Sequence, residues 1–381
     1  MHAAPGFGRK VIFAVLIAAL VVVGLVYGAL RLFGGTEREE GPQRESPSEA
    51  AYDARSVLPG DGWVLHPERE NEPEPPAEPE KTDETFCLSF VGDCTLGSEK
   101  AVYGQAHTLV AVVGDDYDYP FTYARPYFED DDFTMVNLEG PLTEETKAAE
   151  KTYRFRGPPA YARILSGSSV ECVSLANNHA RDYGAAGYAD TKEALEAEGV
   201  AYVEDGGTLL YETERGLKIG VCAYFARQTR QKVKSDIADL REAGAQIIVA
   251  SFHFGKELSY EPNDNQISYA RLAVDAGADI VYGQHPHVLQ RIEKYGGGII
   301  CYSLGNFCFG GNRDPADKDT VILRQYVTVT PEGEVSLGET ELVPFCLTSA
   351  TGYNDYRPIP YEPGTAGYDR VLSKLGVSVS G

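Results

Sequence analysis

Short apolar runs alternate with amphipathic segments from residue 86 onward. The apolar runs occupy residues 86–91, 134–139, 169–176, 217–225, 245–255, 278–287 and 298–307. Helical periodicity appears between several of these runs, at residues 185–199, 235–245 and 266–278. Continuous apolar runs are typical of strands that are buried on both faces. The pattern therefore predicts a layered α/β fold, and the alternation after about residue 320 predicts antiparallel strands that pack on it.

Residues 11–30 form a long apolar segment without a charged side chain. About 20 apolar residues are what a helix needs to cross the hydrocarbon core of a membrane. A cleaved signal peptide is the alternative, but its apolar region usually spans only about 7–15 residues. We therefore predict an uncleaved anchor at residues 11–33. Because Arg9 and Lys10 precede it, residues 1–10 are predicted to be cytoplasmic and the bulk of the chain extracytoplasmic.

The next stretch, residues 34–85, is rich in Glu, Pro, Ser and Arg and has too few apolar side chains to build a core. Its prolines favour an extended spacer, so we predict a disordered linker that holds the folded part away from the membrane. The main domain is then expected at residues 86–350. It is followed by a C-terminal tail at residues 351–381, whose pattern indicates no particular element.

Charge and cysteine content narrow the class of protein. The chain carries 57 acidic and 34 basic side chains, a formal net charge of −23. This balance argues against a nucleic-acid partner, because phosphate binding needs a basic face. It also implies that an anionic substrate would need bridging cations. The seven cysteines are odd in number and several lie inside apolar runs, which favours buried free thiols over a disulfide framework.

Polar residues with metal-binding chemistry gather where the predicted strands end. They are Asp93, Glu139, Asn177, Asn178, His179, His253, His285 and His287. Four of the chain's seven histidines belong to this set. In α/β sheets the carboxyl ends of the strands form the ligand-binding edge. Carboxylate, amide and imidazole ligands together suit Mn, Fe, Zn or Mg, as one ion or as two ions about 3.5–4 Å apart.

Each of these residues also has a simpler structural explanation. Asp93 could form a helix cap or a turn, and Asn178 could stabilise a turn. His179 or His253 alone would be read as a buried, hydrogen-bonded histidine. Glu139 is harder to explain in this way, because it follows an apolar run directly. Taken jointly, the set favours a metal site over coincidence.

Six motifs in order resemble one known family. They are GD (92–93), NLE (137–139), NNHxxDYG (177–184), HFGKE (253–257), GxHPH (283–287) and SLGNF (303–307). The set resembles the CapA family of poly-γ-glutamate capsule biosynthesis proteins, which is related to the calcineurin-like metallophosphoesterases. The resemblance implies a layered metallophosphoesterase-like β-sandwich flanked by helices.

The resemblance also implies a role for each motif residue. Asn178, His253 and His285 would bind one metal ion, Asp93 and His287 would bind another, and Glu139 would bridge them. His179 would be the catalytic proton donor. Asp182, which follows it in the same motif, could orient His179 or close the loop. The metallophosphoesterases begin with an Asp-x-His motif, whereas this chain has Asp93-Cys94-Thr95, so the first ion is expected to lack one ligand.

Four further residues are candidates for substrate binding. Arg154 and Arg156 alternate in YRFRG and could grip an anionic group, or could simply be solvated surface side chains. Glu257 could support the metal site or contact substrate. Gly305 and Asn306 could present backbone groups to a ligand, although a tight turn after a strand is the favoured explanation.

Three functions follow from this reading. The resemblance implies a membrane-anchored extracytoplasmic protein that works with membrane-embedded partners in making or exporting an anionic capsule polymer such as poly-γ-glutamate. A metal-dependent phosphoesterase or related hydrolase acting on a cell-envelope substrate is the second hypothesis. A non-catalytic scaffold of a polymer-export complex is the third.

Overall fold

The computed structural model describes residues 82–225 and 228–377. The predicted cytoplasmic N-terminus, the anchor at residues 11–33 and the linker up to residue 81 lie outside these described residues. Within the described part of the chain, no helix is long and apolar enough to cross a membrane.

Sixteen strands form the framework of the described residues. They are β1 Glu84–Thr95, β2 Ser98–Glu99, β3 Phe133–Leu138, β4 Phe155–Arg156, β5 Cys172–Ser174, β6 Ala201–Val203, β7 Thr208–Glu212, β8 Lys218–Phe225, β9 Ile247–His253, β10 Ile280–Gln284, β11 Leu289–Tyr295, β12 Gly298–Leu304, β13 Asn306–Phe309, β14 Asp319–Val329, β15 Val335–Cys346 and β16 Ile359–Pro360.

These strands form two large sheets and one small ribbon. The first sheet has the order β16-β15-β14-β1-β3-β5-β6, with β13 also paired to β1. The second has the order β11-β12-β10-β9-β8-β7, and β2 pairs with β4 alone. The neighbours β1, β3, β5 and β6 are parallel, as are β8, β9, β10 and β12. The predicted C-terminal antiparallel strands are present as β14 and β15.

Seven α-helices accompany the sheets in the described part of the chain. They are α1 Leu109–Val113, α2 Arg125–Phe128, α3 Ala162–Ser166, α4 Gly184–Ala197, α5 Arg230–Glu242, α6 Asp264–Asp275 and α7 Ala366–Lys374. A capping box stabilises the start of α6. The Asn263 side chain accepts a hydrogen bond from the N–H of Gln266, and the Gln266 side chain accepts one from the N–H of Asn263. The three predicted helices correspond to α4, α5 and α6.

The two sheets pack face to face with helices on their outer sides. Alternate residues of β1, such as Leu88 and Phe90, join a core that also contains Val249 and Tyr282 of the second sheet. The next β1 residue, Val91, instead faces the helical side. This two-residue alternation places one side chain of each pair between the sheets and the other beneath a helix. The predicted layered α/β class is therefore confirmed.

The last helix belongs to the core, although its sequence showed no clear pattern. Val371 and Leu375 are fully buried in the core between the sheets. Lys374 lies 2.7 Å from both Asp317 and Asp319. Arg370 donates two hydrogen bonds to Asp319 at 2.6 Å. These ion pairs attach α7 to the segment that leads into β14.

Two partly buried carboxylates, Asp131 before β3 and Glu171 before β5, should make stability depend on pH. Burial raises the pKa of both Asp131 and Glu171 to about 7. Because the folded pKa values exceed the unfolded ones, this contribution to stability is complete below about pH 4 and is lost as the pH rises through 7. Asp131→Asn is expected to raise the free energy of unfolding at pH 8 by about 1–2 kcal/mol, with little change at pH 4.5.

Urea unfolding at several pH values measures this effect. Glu129→Gln, a change at an exposed carboxylate nearby, is the control and should leave the pH profile unchanged. An Asp131→Asn profile parallel to that of the unmodified chain would show that Asp131 titrates alike in both states.

Candidate metal centre

The candidate ligands meet at the carboxyl-terminal edge of the parallel strands. Asp93 lies within β1, and Glu139 directly follows β3. His253 is the last residue of β9. The remaining residues, Asn178, His285 and His287, lie in the loops after β5 and β10. The structure thus brings together all six residues that the sequence nominated as metal ligands.

Asp93 is held by backbone and side-chain contacts on both sides. Its N–H donates to the carbonyl of Gly305 at 2.8 Å. One carboxylate oxygen, Oδ1, accepts from Asn137 Nδ2 at 2.8 Å. The other, Oδ2, lies 3.0 Å from His287 Nδ1 and accepts from the N–H of His285 at 3.3 Å. A register shift in β1 between Asp93 and the next residue turns this carboxylate toward the loops.

Glu139 lies at the centre of the group and is fully buried. Neither carboxylate oxygen has a hydrogen-bond partner among the described residues. Its Oε1 is 3.5 Å from His253 Nε2, and its Oε2 is 3.9 Å from His287 Nδ1. Burial, followed by repulsion from Asp93, raises the pKa of Glu139 to about 8. A buried carboxylate without hydrogen bonds is costly unless a cation balances it.

The three histidines differ in protonation because their surroundings differ. Burial lowers the pKa of His253 well below its usual value, so this ring is neutral and offers a lone pair. Burial, followed by the nearby His287, also lowers the pKa of His285. Burial acts in the same direction on His287, but Glu139 and Asp93 outweigh it and raise its pKa to about 10. In the metal-free protein the proton on His287 therefore offsets negative charge at Asp93, whose Oδ2 lies 3.0 Å from His287 Nδ1.

The loop after β10 adopts an unusual backbone to present its histidines. His285 has φ 97° and His287 has φ 58°, values that residues other than glycine rarely adopt. Such strain persists only where the surrounding structure enforces it, and it is concentrated at functional sites. The Nδ1 atom of His285 is buried and has no hydrogen-bond partner among the described residues.

The ligand atoms fall into overlapping groups that suit one or two ions. Three sets each bring their ligand atoms within 4.8 Å of one another. They are Glu139, His253 and His285; Asp93, Glu139 and His287; and Glu257, His285 and His287. Glu139 is common to the first two sets, as a bridging ligand requires. Asn178 Oδ1, 2.7 Å from His253 Nε2, adjoins the first set. The unpartnered oxygens of Glu139 and the mixed oxygen and nitrogen donors fit a divalent cation.

His179 does not join these sets but lies beside them with Asp182. Its Nδ1 is 2.7 Å from Asp182 Oδ2, which also accepts from the N–H of Phe155 at 2.7 Å. Asp182 is fully buried, and Lys151 Nζ lies 2.5 Å from its second oxygen. The ring of Phe155 packs against His179 at a centroid distance of 4.5 Å. The carboxylate favours a proton on Nδ1, which leaves Nε2 to exchange a proton with a ligand.

Two supporting residues escaped prediction from the sequence. Lys151 donates to the carbonyl of Asn178 at 2.8 Å in addition to its contact with Asp182. Asn137 donates to Asp93 and accepts from Asn177 at 3.0 Å. Asn137 lies in the NLE motif, so its position beside Glu139 was a usable signal. Lys151 lies in a polar loop, and nothing in its local pattern marks it.

The predicted substrate-binding residues are more dispersed. Asn306 contacts His287 twice, through Nδ1 at 2.9 Å and through the backbone carbonyl at 3.2 Å. Glu257 is exposed and lies with two of the histidines. Arg154 and Arg156 are not part of the cluster: Arg154 pairs with Glu99 at 3.6 Å, and Arg156 donates to the carbonyl of residue 145 at 2.6 Å.

Thr95, which replaces the motif histidine, is buried beside this site. Its hydroxyl has no hydrogen-bond partner among the described residues. A threonine offers no imidazole nitrogen, and the His, Asp and Glu side chains that could share an ion with Asp93 in the described residues are Glu139 and His287. The expected loss of one ligand at this position therefore stays a prediction that agrees with the geometry.

A cleft of about 300 Å³ lies over the candidate metal centre. His179, Glu257, His287 and Asn306 line it, so the candidate metal site and the candidate proton donor face the same space. Functional pockets commonly combine an apolar wall with a few convergent polar groups. This arrangement can hold a ligand between a metal ion and a proton-exchanging imidazole.

Comparison with known proteins places this geometry in a family. The family model for the bacterial capsule synthesis protein PGA_cap matches residues 87–311. The capsule biosynthesis protein CapA of Bacillus anthracis is 30% identical over 258 residues, which are 60% of this chain and 61% of that protein. The PGA biosynthesis protein CapA of Bacillus subtilis (strain 168) is 33% identical over 254 residues, 60% of this chain and 64% of that protein. The matched part is thus less than two thirds of the length of either relative.

Similarity to solved structures is more distant. The NAD nucleotidase of Haemophilus influenzae superposes with a TM-score of 0.40 and 12% identity, over 77% of this chain and 56% of that chain. The residues matched by the family model span every candidate ligand in the cluster, from Asp93 to His287, and more than half of the chain, so the protein belongs to the CapA family of bacterial capsule synthesis proteins.

Proposed function

We propose that this protein takes part in making or exporting an anionic capsule polymer such as poly-γ-glutamate, and that its cleft works with a bound divalent metal. Membership of the capsule synthesis family supports the first part. The second part is supported chiefly by Glu139, whose two buried oxygens lie without hydrogen-bond partners between His253 and His287. Mn, Fe, Zn and Mg all suit these donors.

The residues that would hold the metal are those of the overlapping sets. Asn178, His253 and His285 would serve one position, and Asp93 and His287 the other, with Glu139 between them. When bound, the metal would supply electrostatic stabilisation of an anionic group and lower the pKa of water. Asn137 and Asn306 would keep Asp93 and His287 in place through the hydrogen bonds described above.

Hydrolysis of a phosphoester is the second candidate function. The 2.7 Å contact between His179 and Asp182 favours it, because a carboxylate-oriented imidazole at a cleft wall can act as a general acid. Asp182 would hold the proton on Nδ1, and Nε2 would deliver a proton to the leaving oxygen. A non-catalytic scaffold of a polymer-export complex remains the third candidate, and in it the cleft would bind no metal.

The location of the protein is part of the proposal. The charge-free segment at residues 11–30, preceded by Arg9 and Lys10, supports a single-pass anchor with the bulk of the chain outside the cytoplasm. Partners would then include membrane-embedded proteins of polymer synthesis. Protease treatment of protoplasts tests this topology, and protection of the folded part from the protease would contradict it.

Matched variants separate the three functions. With Mn²⁺ and bis(4-nitrophenyl) phosphate, His179→Asn is expected to lower turnover by about 10²–10⁴-fold while leaving bound metal unchanged. His285→Ala is expected to lower both bound metal and turnover. Metal content from elemental analysis and the release of nitrophenol are the two measurements.

His107→Asn is the control, because the carbonyl of His107 rather than its imidazole accepts the tertiary hydrogen bond from Tyr356. Turnover that survives both site variants would exclude the proposed centre. Bound metal without turnover would favour a binding role, and no bound metal would favour the scaffold.

A further inference from the structure

The cleft above the metal centre has an apolar wall. Its apolar lining residues are Tyr153, Phe155, Leu258, Phe309, Pro315 and Ala316. Phe309 packs on His287 at a centroid distance of 5.4 Å, so the wall begins at the metal ligands themselves. A ligand anchored at the metal centre would therefore extend along hydrocarbon and aromatic surface.

Apart from the site histidines, the charged residues that line this cleft are acidic. Among the described residues that line it there is no lysine or arginine, and its two acidic residues are Glu257 and Asp317. Asp317 is paired with Lys374, whereas Glu257 is exposed. Beyond the metal centre, a ligand with many negative charges would meet no counter-charge and one unpaired carboxylate. A ligand with a single anionic group avoids that repulsion.

Leu258 at the mouth of the cleft is an outlier in two respects. Its side chain is 67% exposed, and its φ of 59° lies in the left-handed region that leucine avoids. A hydrogen bond from its N–H to the carbonyl of Pro286, at 2.8 Å, holds it against the strained histidine loop. Tyr153, on the same cleft, is 60% exposed. Strain that presents an apolar side chain to solvent points to a ligand that covers it.

We propose that the cleft takes a phosphate ester whose alcohol part is apolar. The phosphate lies at the metal centre, and the apolar part lies on the wall formed with Leu258 and Tyr153. This inference rests on the proposed metal-binding function and specifies the ligand of that site: a small amphiphile rather than the polyanionic polymer. The apolar part can be an aromatic ring or an alkyl chain, since either one buries the wall.

Binding of phosphonates to the full-length chain tests this inference without requiring turnover. With Mn²⁺ present, calorimetry compares methylphosphonate, octylphosphonate and 1-naphthylphosphonate, which share one metal-binding head group. Octylphosphonate or 1-naphthylphosphonate is expected to bind at least about tenfold more tightly than methylphosphonate, because only they bury apolar surface. The better of the two identifies the class of apolar part.

The variants change two exposed residues, so the protein should still fold. The double variant Leu258→Asn with Tyr153→Ser is expected to reduce the preference to less than about threefold without changing methylphosphonate binding. Asparagine tolerates positive φ better than leucine. The control pair is Leu210→Asn with Tyr353→Ser, two exposed residues outside the cleft, and it should keep the full preference.

Different failures point to different parts of the proposal. Equal, Mn²⁺-dependent binding of all three phosphonates would overturn the apolar ligand while leaving the metal centre intact. Tighter binding of a γ-linked glutamate pentamer, displaced by methylphosphonate, would overturn it in favour of the polymer. If no phosphonate binding depends on Mn²⁺, both the inference and the proposed metal-binding function fail.

Discussion

Replacing Glu139 by glutamine is expected to weaken divalent metal binding by more than about 100-fold. Even residues that only orient metal ligands contribute about 10–100-fold to affinity, and Glu139 belongs to two of the three ligand sets. An amide keeps the shape of the side chain but removes the negative charge that a cation would neutralise. The measurements are Mn²⁺ titration by calorimetry and thermal unfolding with and without Mn²⁺. Metal should stabilise the unmodified chain against unfolding and leave Glu139→Gln almost unchanged.

Two further substitutions serve as comparisons for the loss of metal affinity in Glu139→Gln. Glu257→Gln removes an exposed carboxylate from the set that contains His285 and His287, so the loss of metal affinity should be less than about tenfold. Glu261→Gln changes an exposed carboxylate outside the sets and should have no effect on metal affinity. Unchanged metal affinity in Glu139→Gln would remove Glu139 from the centre and with it the bridging arrangement.

Gly92→Ala is expected to destabilise the fold by about 3 kcal/mol or more and to displace Asp93. A Cβ atom at position 92 would lie 2.2 Å from the carbonyl oxygen of Gly305 and 2.7 Å from that of Leu304. Both obstacles are backbone atoms, so no side-chain rotation relieves the overlap, and overpacking of this kind costs about 1–3 kcal/mol or more. Because the N–H of Asp93 bonds to the same Gly305 carbonyl, metal content should fall together with stability.

Gly338→Ala in β15 is the matched control for this substitution. Its Cβ would lie 3.4 Å from the nearest atom, the carbonyl oxygen of Tyr326, which is an ordinary contact. The free energy of unfolding from urea titration should change by less than about 1 kcal/mol in this variant. If Gly92→Ala unfolds at the same urea concentration as the control, the close approach of β1 to the Gly305 turn is not rigid.

The framework of the domain was accessible from hydrophobic periodicity. The run at residues 245–255 contains β9, with Val249 facing the core between the sheets and Ala250 facing the helices. Because such a strand is buried on both faces, its apolar run is continuous and conspicuous. Its last residue, His253, was then correctly placed at the carboxyl end of a parallel strand.

Other parts of the fold could not be predicted from the local sequence pattern. Helix α7 is only nine residues long, and its attachment depends on pairs between Lys374 or Arg370 and acids more than fifty positions earlier in the chain. Lys151 pairs with Asp182, which lies 31 positions later in the chain. Local periodicity reports on which face of an element is buried, but not on which distant residue pairs with it.

The same limit explains why only some of the predicted substrate-binding residues line the cleft: Glu257 and Asn306 do, whereas the two arginines do not. The alternation of Arg154 and Arg156 with Phe155 predicts a strand that carries both cations on one face. The structure directs Phe155 toward His179 and the cleft, and the arginines pair elsewhere. The strand pattern predicted the alternation, but only packing determined which side faces the site.

By itself, the sequence determined the layered α/β class, the order of the strands along the chain and the residue types that collect at their carboxyl ends. It did so because burial on two faces and the chemistry of each side chain are local properties that a linear pattern records. Only the tertiary structure decided that Glu139 lies between His253 and His287 with both oxygens unpartnered, and that His285 and His287 adopt positive φ values to reach it. Those features depend on distances between segments more than a hundred residues apart, which are set by how the two sheets pack.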